Sequence, residues 1–228
     1  MIVGFCRAND TGYDLWLINA DGSNARQLTH FRANTAASDP TFSSSTPRVA
    51  FVFVRDFSAV GLAPGLTYDI HSIRSDGTQT RRLTRSGAWH DFNPAFAPDG
   101  HRLLWVRTGN TQGNDGRTQL WTMRANGKDK RKLRSDISQD QSADWSPDGQ
   151  LIVYASRDVL NIVRTDGTLV RQIAKRGNDP VWSPNGRWIA YRTGSRIELV
   201  SRDGKTVRPV PRFWEGRLDN FAWQPRPQ

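Results

Sequence analysis

The stretch "SADWSPDGQLIVYAS" at residues 142–156 reads as a short strand, a Pro-Asp-Gly turn and a second strand, and the chain says it more than once. "NDPVWSPNGRWIAYRT" occupies 178–193 and "FNPAFAPDGHRLLWVRT" occupies 92–108. A second unit recurs between these copies. An apolar strand runs into a tight turn in "DLWLINADG" (14–22), "DIHSIRSDG" (69–77), "QLWTMRANG" (119–127), "LNIVRTDG" (160–167) and "IELVSRDG" (197–204). Asp-Gly and Asn-Gly are the pairs that supply the positive φ angles of a two-residue hairpin turn. Each copy is followed by a short basic strand, a polar loop of variable length, and an aromatic at one fixed place: Phe42, Phe96, Trp145, Trp182 or Trp223. The next strand carries another aromatic in register, at Phe51, Trp105, Tyr154 and Tyr191.

Four short strands per unit, repeated with a pitch of 55, 50, 40 and 37 residues between equivalent glycines, predict an all-β chain of four-stranded antiparallel blades, a β-propeller. Five units are counted. The fifth stops after its first strand, "DNFAWQPRPQ", and the missing partner stands at the other end, where Phe5 of "MIVGFCR" takes the place of Phe51 and its equivalents. The expectation is a single domain over 1–228 whose N-terminal strand pairs into the C-terminal blade. Closure of that kind buries sheet faces that an open array would leave in water.

The same residues carry a family resemblance. "ADWSPDGQLIVYASR", followed by Asp-Gly and a short basic strand, resembles the WD-like propeller repeat of the TolB family. That repeat also occurs in non-catalytic propellers of prolyl-oligopeptidase-type peptidases. The resemblance covers essentially the whole chain and implies a propeller that binds proteins outside the cytoplasm, in the periplasm or secreted. It departs from the family in its count, five repeats where the TolB propeller has six.

Composition narrows the function. The longest apolar runs are a few residues, such as "VAFVFV" at 49–54, so no helix spans a membrane. Met1 opens directly into a strand, and no signal peptide is visible. The lone Cys6 forms no intrachain disulfide and reads as a small buried hydrophobe. The net charge of +10 resides largely on the predicted outermost strands and their turns: Arg26, Arg81, Arg82, Lys128, Lys130, Arg131, Lys132, Arg171, Lys205 and Arg208. Charged edge strands resist edge-to-edge aggregation. Such a girdle predicts no specific nucleic-acid binding, and at most weak adhesion to polyanions or cell wall.

No nucleophile elbow, P-loop or zinc spacing is present in the sequence, and His30, His71, His90 and His101 fall at unrelated places in the repeat. Function is therefore sought where the repeat fails. Both tight turns of a blade lie at one end of its strands. The long segments, 56–68 and 108–118 within blades and 30–39, 85–93, 134–142, 175–179 and 211–220 between them, lie at the other. Variable loops on a rigid scaffold are where binding resides. The expected binding residues are Trp89, His90, Asp91, Asp140, Phe213, Trp214, Glu215 and Asp219. Asp39, Asn93, Asp179 and Asn220, each just before a first strand, form weak candidates for a hard cation such as calcium, or they simply initiate turns and cap the incoming backbone, the first three as Asx-Pro. No cofactor is expected otherwise. The reading is a monomeric, non-catalytic binding module for a protein or extracellular ligand. Its alternatives are a glycosidase or lyase that pairs carboxylates at the channel mouth, and a polyanion or cell-wall scaffold that uses the basic rim.

Overall fold

The computed structural model describes residues 2–9, 12–32, 34–55, 66–85, 87, 89–109, 117–137 and 143–211. The described residues form strands joined by turns, with no helix. β1 (Ile2–Asn9), β2 (Gly12–Asn19) and β3 (Arg26–Gln27) form one antiparallel group. Three sets of four follow in chain order and pair in that order: β8 (Trp89–Phe96) to β11 (Arg131–Ile137), β12 (Ala143–Trp145) to β15 (Leu169–Ala174), and β16 (Asn178–Trp182) to β19 (Val207–Pro209). Within them lie β9 (Arg102–Gly109), β10 (Thr118–Arg124), β13 (Leu151–Ser156), β14 (Val159–Arg164), β17 (Trp188–Thr193) and β18 (Arg196–Ser201). Between the first group and these stands β4 (Thr35–Phe42), β5 (Arg48–Arg55), β6 (Thr67–Arg74) and β7 (Arg81–Arg82). A single parallel bridge, Tyr13 to Ala36, joins this set to the first group as one seven-stranded sheet. The blades are those the repeat predicts. The strand expected to complete the first group, near residues 220–225, lies outside the described residues.

The chain divides into two compact units, 1–117 with 122–131, and 118–121 with 132–228. The second strand of each blade shows why the sequence makes blades. β13, "LIVYAS", is buried at its four central residues, an uninterrupted apolar run suited to a strand covered on both faces. The outermost β15, "LVRQIA", instead exposes half of its side chains and buries only Ile173. Phe51, Trp105 and Tyr154 are fully buried, and Tyr191, Trp145 and Trp182 are buried. Phe42 departs from the expected core pattern and remains 37% exposed. Its ring lies over Gly4, which offers no side chain to cover it.

The turns differ from the two-residue hairpins expected. Gly22, Gly77, Gly127, Gly167 and Gly204 have positive φ, but the Asp or Asn before each does not. Gly22 N–H donates to Asn19 O, and the other four copies repeat that bond from Gly77, Gly127, Gly167 and Gly204. This is a type I turn ending in a left-handed glycine. The acidic residue is needed for another reason. Asp21, Asn126, Asp166 and Asp203 each accept the N–H two residues on, and Asp76 does the same for Thr78. The side chain holds the turn by an Asx bond. Gly167 meets a second constraint, because a Cβ there would stand 2.8 Å from Leu133 O.

Candidate functional site

The end of the blades opposite the tight turns contains the features that do not repeat. In the first unit, β6 and β8 bring Tyr68, His90 and Phe92 together. Tyr68 packs edge-on to His90 at 4.9 Å between centroids and against Phe92 at 4.7 Å. All three are half-buried, as is Trp89 beside them in β8. His90 Nδ1 is buried without a hydrogen-bond partner, and burial lowers the His90 pKa against the opposing pull of Asp91 and Asp69. Burial likewise raises the Tyr68 pKa. A second aromatic group lies across β5 and β6, where His71 packs on Phe53 at 4.8 Å and Phe53 on Phe31 at 4.8 Å. Burial drives the His71 pKa down to about 4, so the ring is neutral here.

Carboxylates at this end are held by other residues. Asp91 is fully buried. Its Oδ1 accepts from Trp105 Nε1 at 3.0 Å and Arg107 Nε at 2.7 Å, and its Oδ2 accepts from Arg107 Nη2 at 2.9 Å. This fork geometry is the strong form of the ion pair. Asp69 pairs with Arg82 at 2.5 Å. Arg82 therefore has an inward partner and is not a free member of the basic girdle. Asp14 accepts from Thr29 Oγ1, Gln27 Nε2 and Phe31 N–H, which ties the loop after β3 to β2. Sequence reading passed over Asp14 and Asp69. The signal was available, since "YDL…LT" and "YDI…LT" occur in only these two copies, with Thr29 and Thr84 each accepting from the residue after the Asp.

Asp39, Asn93 and Asp179, the weak cation candidates, share one property: each has φ between 49° and 52°. The pairing register of β4, β8 and β16 slips at these points, between Ser38 and Thr41, Phe92 and Ala95, and Asn178 and Val181. Each marks a β-bulge built on Asx-Pro, where Asp or Asn tolerates the left-handed backbone and Pro offers no N–H to leave unpaired. Asp179 additionally accepts from Arg192 Nε at 2.8 Å. Local backbone geometry thus accounts for the residue types. Among the described residues, no group of three or more metal-ligating side chains assembles. Cys6 is half-buried, and its thiol pKa is raised to about 11 by burial and by the charge of Asp39. Asp140, Phe213, Trp214, Glu215, Asp219 and Asn220 lie outside the described residues.

Asp144 was not anticipated. It sits on β12, and its Oδ2 accepts from Trp182 N–H of β16 at 2.8 Å, a bond between neighbouring blades. Burial pushes its pKa up to about 6, opposed by the Trp182 and Trp145 backbone N–H groups. Its position in the repeat is occupied by Thr41, Ala95 and Val181 elsewhere, so nothing periodic pointed to it.

Antiparallel four-stranded blades with a repeated aromatic core and Asx-Gly turns define a β-propeller repeat protein. The family model described as the TolB beta propeller domain matches residues 59–226, and the chain belongs to that family. Among solved structures, TolB from Acinetobacter baumannii aligns at 17% identity and TM-score 0.65, over 92% of this chain and 51% of that one. The chain therefore spans about half the length of that TolB. A puromycin hydrolase aligns at 19% identity and TM-score 0.70, over 93% of this chain and 37% of the other. An oligogalacturonate lyase in complex with manganese aligns at 13% and 0.54, over 92% and 74%. At these identities the likeness is one of fold.

Proposed function

We propose that the chain is a non-catalytic binding module that takes a protein partner, outside the cytoplasm, on the connection end of its blades. The observation that carries this reading is the set of Tyr68, His90 and Phe92, with Trp89 adjacent. These are half-buried aromatics gathered where the repeat requires none. Such rings supply large contact area and anchor interfaces. The carboxylates beside these rings favour the same reading: Asp91 and Asp69 engage Arg107 and Arg82, which suits fixing strands better than moving protons. Membership of the TolB propeller family supports a protein partner and a periplasmic or secreted location. The module works as a monomer and needs no cofactor. The test passes native extract over immobilised protein in low and high salt, then measures affinity for the retained partner. Trp89→Ala weakens it about thirtyfold, while Lys130→Ala leaves it unchanged. Equal binding by both variants moves the site off this end.

The enzyme reading has one observation in its favour. Asp144, with its pKa raised to about 6, is tuned toward general acid–base work. Turnover of an acidic oligosaccharide that disappears in Asp144→Asn would establish it, and absence of turnover leaves the binding module.

A further inference from the structure

The tight-turn end, where the repeat fixes residue types, nonetheless holds a cleft in the second unit. Its volume is about 540 Å³, within the range of sites that enclose a small ligand or a side chain with its flanking residues. Its apolar side is Leu151, Ile162 and Val170 of β13, β14 and the outer strand β15. The opposite side is the pair of turns that follow β16 and β18, which carry Arg187 and Arg202, and Arg171 of β15 completes a lining with three arginines.

The three arginines are not equivalent. Arg202 is pinned, with Nη1 and Nη2 both 3.0 Å from Asp148 Oδ2 and its guanidinium 5.6 Å from the Trp182 ring centre. Arg171 donates to the Asp203 carbonyl at 3.3 Å. Arg187 uses only its backbone: its N–H donates to Asn185 Oδ1 and its carbonyl accepts from Arg202 N–H. Asp203, the one lining carboxylate among the described residues, is spent on its own turn, accepting from Ser201 Oγ and Lys205 N–H. Positive charge beside an apolar wall is thus left without its complement.

An internal control stands in the first unit. The matching turns of an earlier blade border a cleft of about 450 Å³ lined by His101, Arg102 and Arg124. There Arg124 pairs with Asp129 at 2.6 Å and Arg102 approaches Asp99 at 3.9 Å. Among the described residues, no Leu, Ile or Val belongs to that lining. The cleft itself is a consequence of the repeat, and its chemistry in the second unit is not.

We propose that the cleft between β15 and the turns after β16 and β18 is a second binding site, for an acidic peptide segment that carries an apolar side chain. The apolar side chain covers Leu151 and Val170, and flanking carboxylates meet Arg187 and Arg171 as charge-assisted pairs. Arg202 shapes the wall. This site shares no residue with the aromatic set and does not depend on the function proposed for that set.

The test is calorimetric titration of the full chain with an acetylated, amidated Asp-Glu-Leu-Glu-Asp peptide at low salt. The expected result is saturable binding to one site. The double variant Arg171→Gln/Arg187→Gln weakens it at least tenfold, and Arg187→Gln alone does so by a smaller factor. The double variant Arg102→Gln/Arg124→Gln removes the same charge from the matching cleft and changes affinity less than twofold. Replacing the peptide's Leu by Gly weakens binding several-fold, and Trp89→Ala of the protein has no effect. Equal losses in the two double variants would mean attraction to net charge alone and overturn the proposal. So would binding that never saturates, or equal affinity for the Asn-Gln-Leu-Gln-Asn peptide.

Discussion

The two ends of a blade obey different rules. At the turn end, five Asx-Gly turns use the same bonds in each copy. At the connection end the partner sets vary from copy to copy: Asp14 has Thr29, Gln27 and a backbone N–H, Asp69 has Arg82, Asp91 has Trp105 and Arg107, and Asp179 has Arg192. Repetition reports a backbone requirement common to all blades. Divergence at fixed geometry reports the side chains that hold one particular loop.

The sharpest way to break this contrast is to remove one buried device. Asp91→Ala removes the buried acceptor of Arg107 and Trp105 Nε1 in the first unit and destabilises by about 3 kcal/mol or more, read by denaturant unfolding. Loss of one Asx acceptor at an exposed turn, as in Asp166→Ala, costs far less. Equal costs would mean the two ends are not built differently.

Glycines sharpen the contrast within the turn end. Gly22 and Gly167 have φ of +82° and +87°, yet a Cβ on Gly22 meets nothing within 4 Å. Gly22→Ala therefore costs about 1 kcal/mol of backbone strain. Gly167→Ala costs at least about 1 kcal/mol more, because its Cβ also meets Leu133 O. Comparison of thermal midpoints separates the two.

Two titratable groups pull stability in opposite directions over the same acidic range. The folded pKa of His71 is lowered from 6.5 to about 4, so the unfolded chain binds the proton first and stability falls as pH drops from about 6.5 toward 4. The folded pKa of Asp144 is raised from 3.8 to about 6, so its contribution is largest at low pH and is lost as pH rises through 6. His71→Phe flattens the acid-side loss. Asp144→Asn stabilises by up to about 2 kcal/mol at pH 7.5, and little at pH 4. Unfolding curves at the two pH values check both signs. The smallest effect is expected at Trp89→Ala, which costs under about 1 kcal/mol of stability while impairing partner binding. A large stability loss there would place Trp89 in the scaffold.

The period, the strand order within each blade, the positions of the turns and the buried aromatics at Trp105, Tyr154 and Tyr191 were legible in the sequence, because each answers a requirement that recurs. Trp89 and His90 were legible as exceptions to it. What Asp91 does was not, since a carboxylate in a loop-end position reads the same whether it faces water or Arg107. Asp144 was invisible for a related reason: its raised pKa comes from burial beside Trp182, 38 residues away in chain, and no local pattern encodes that approach. The basic cleft likewise depends on Arg171 of one blade and Arg187 in a turn of the next lining the same space. Sequence alone determined the class of structure through local geometry repeated five times. Tertiary packing decided which charges are paired and which remain available, because pairing depends on distances that only the folded chain sets.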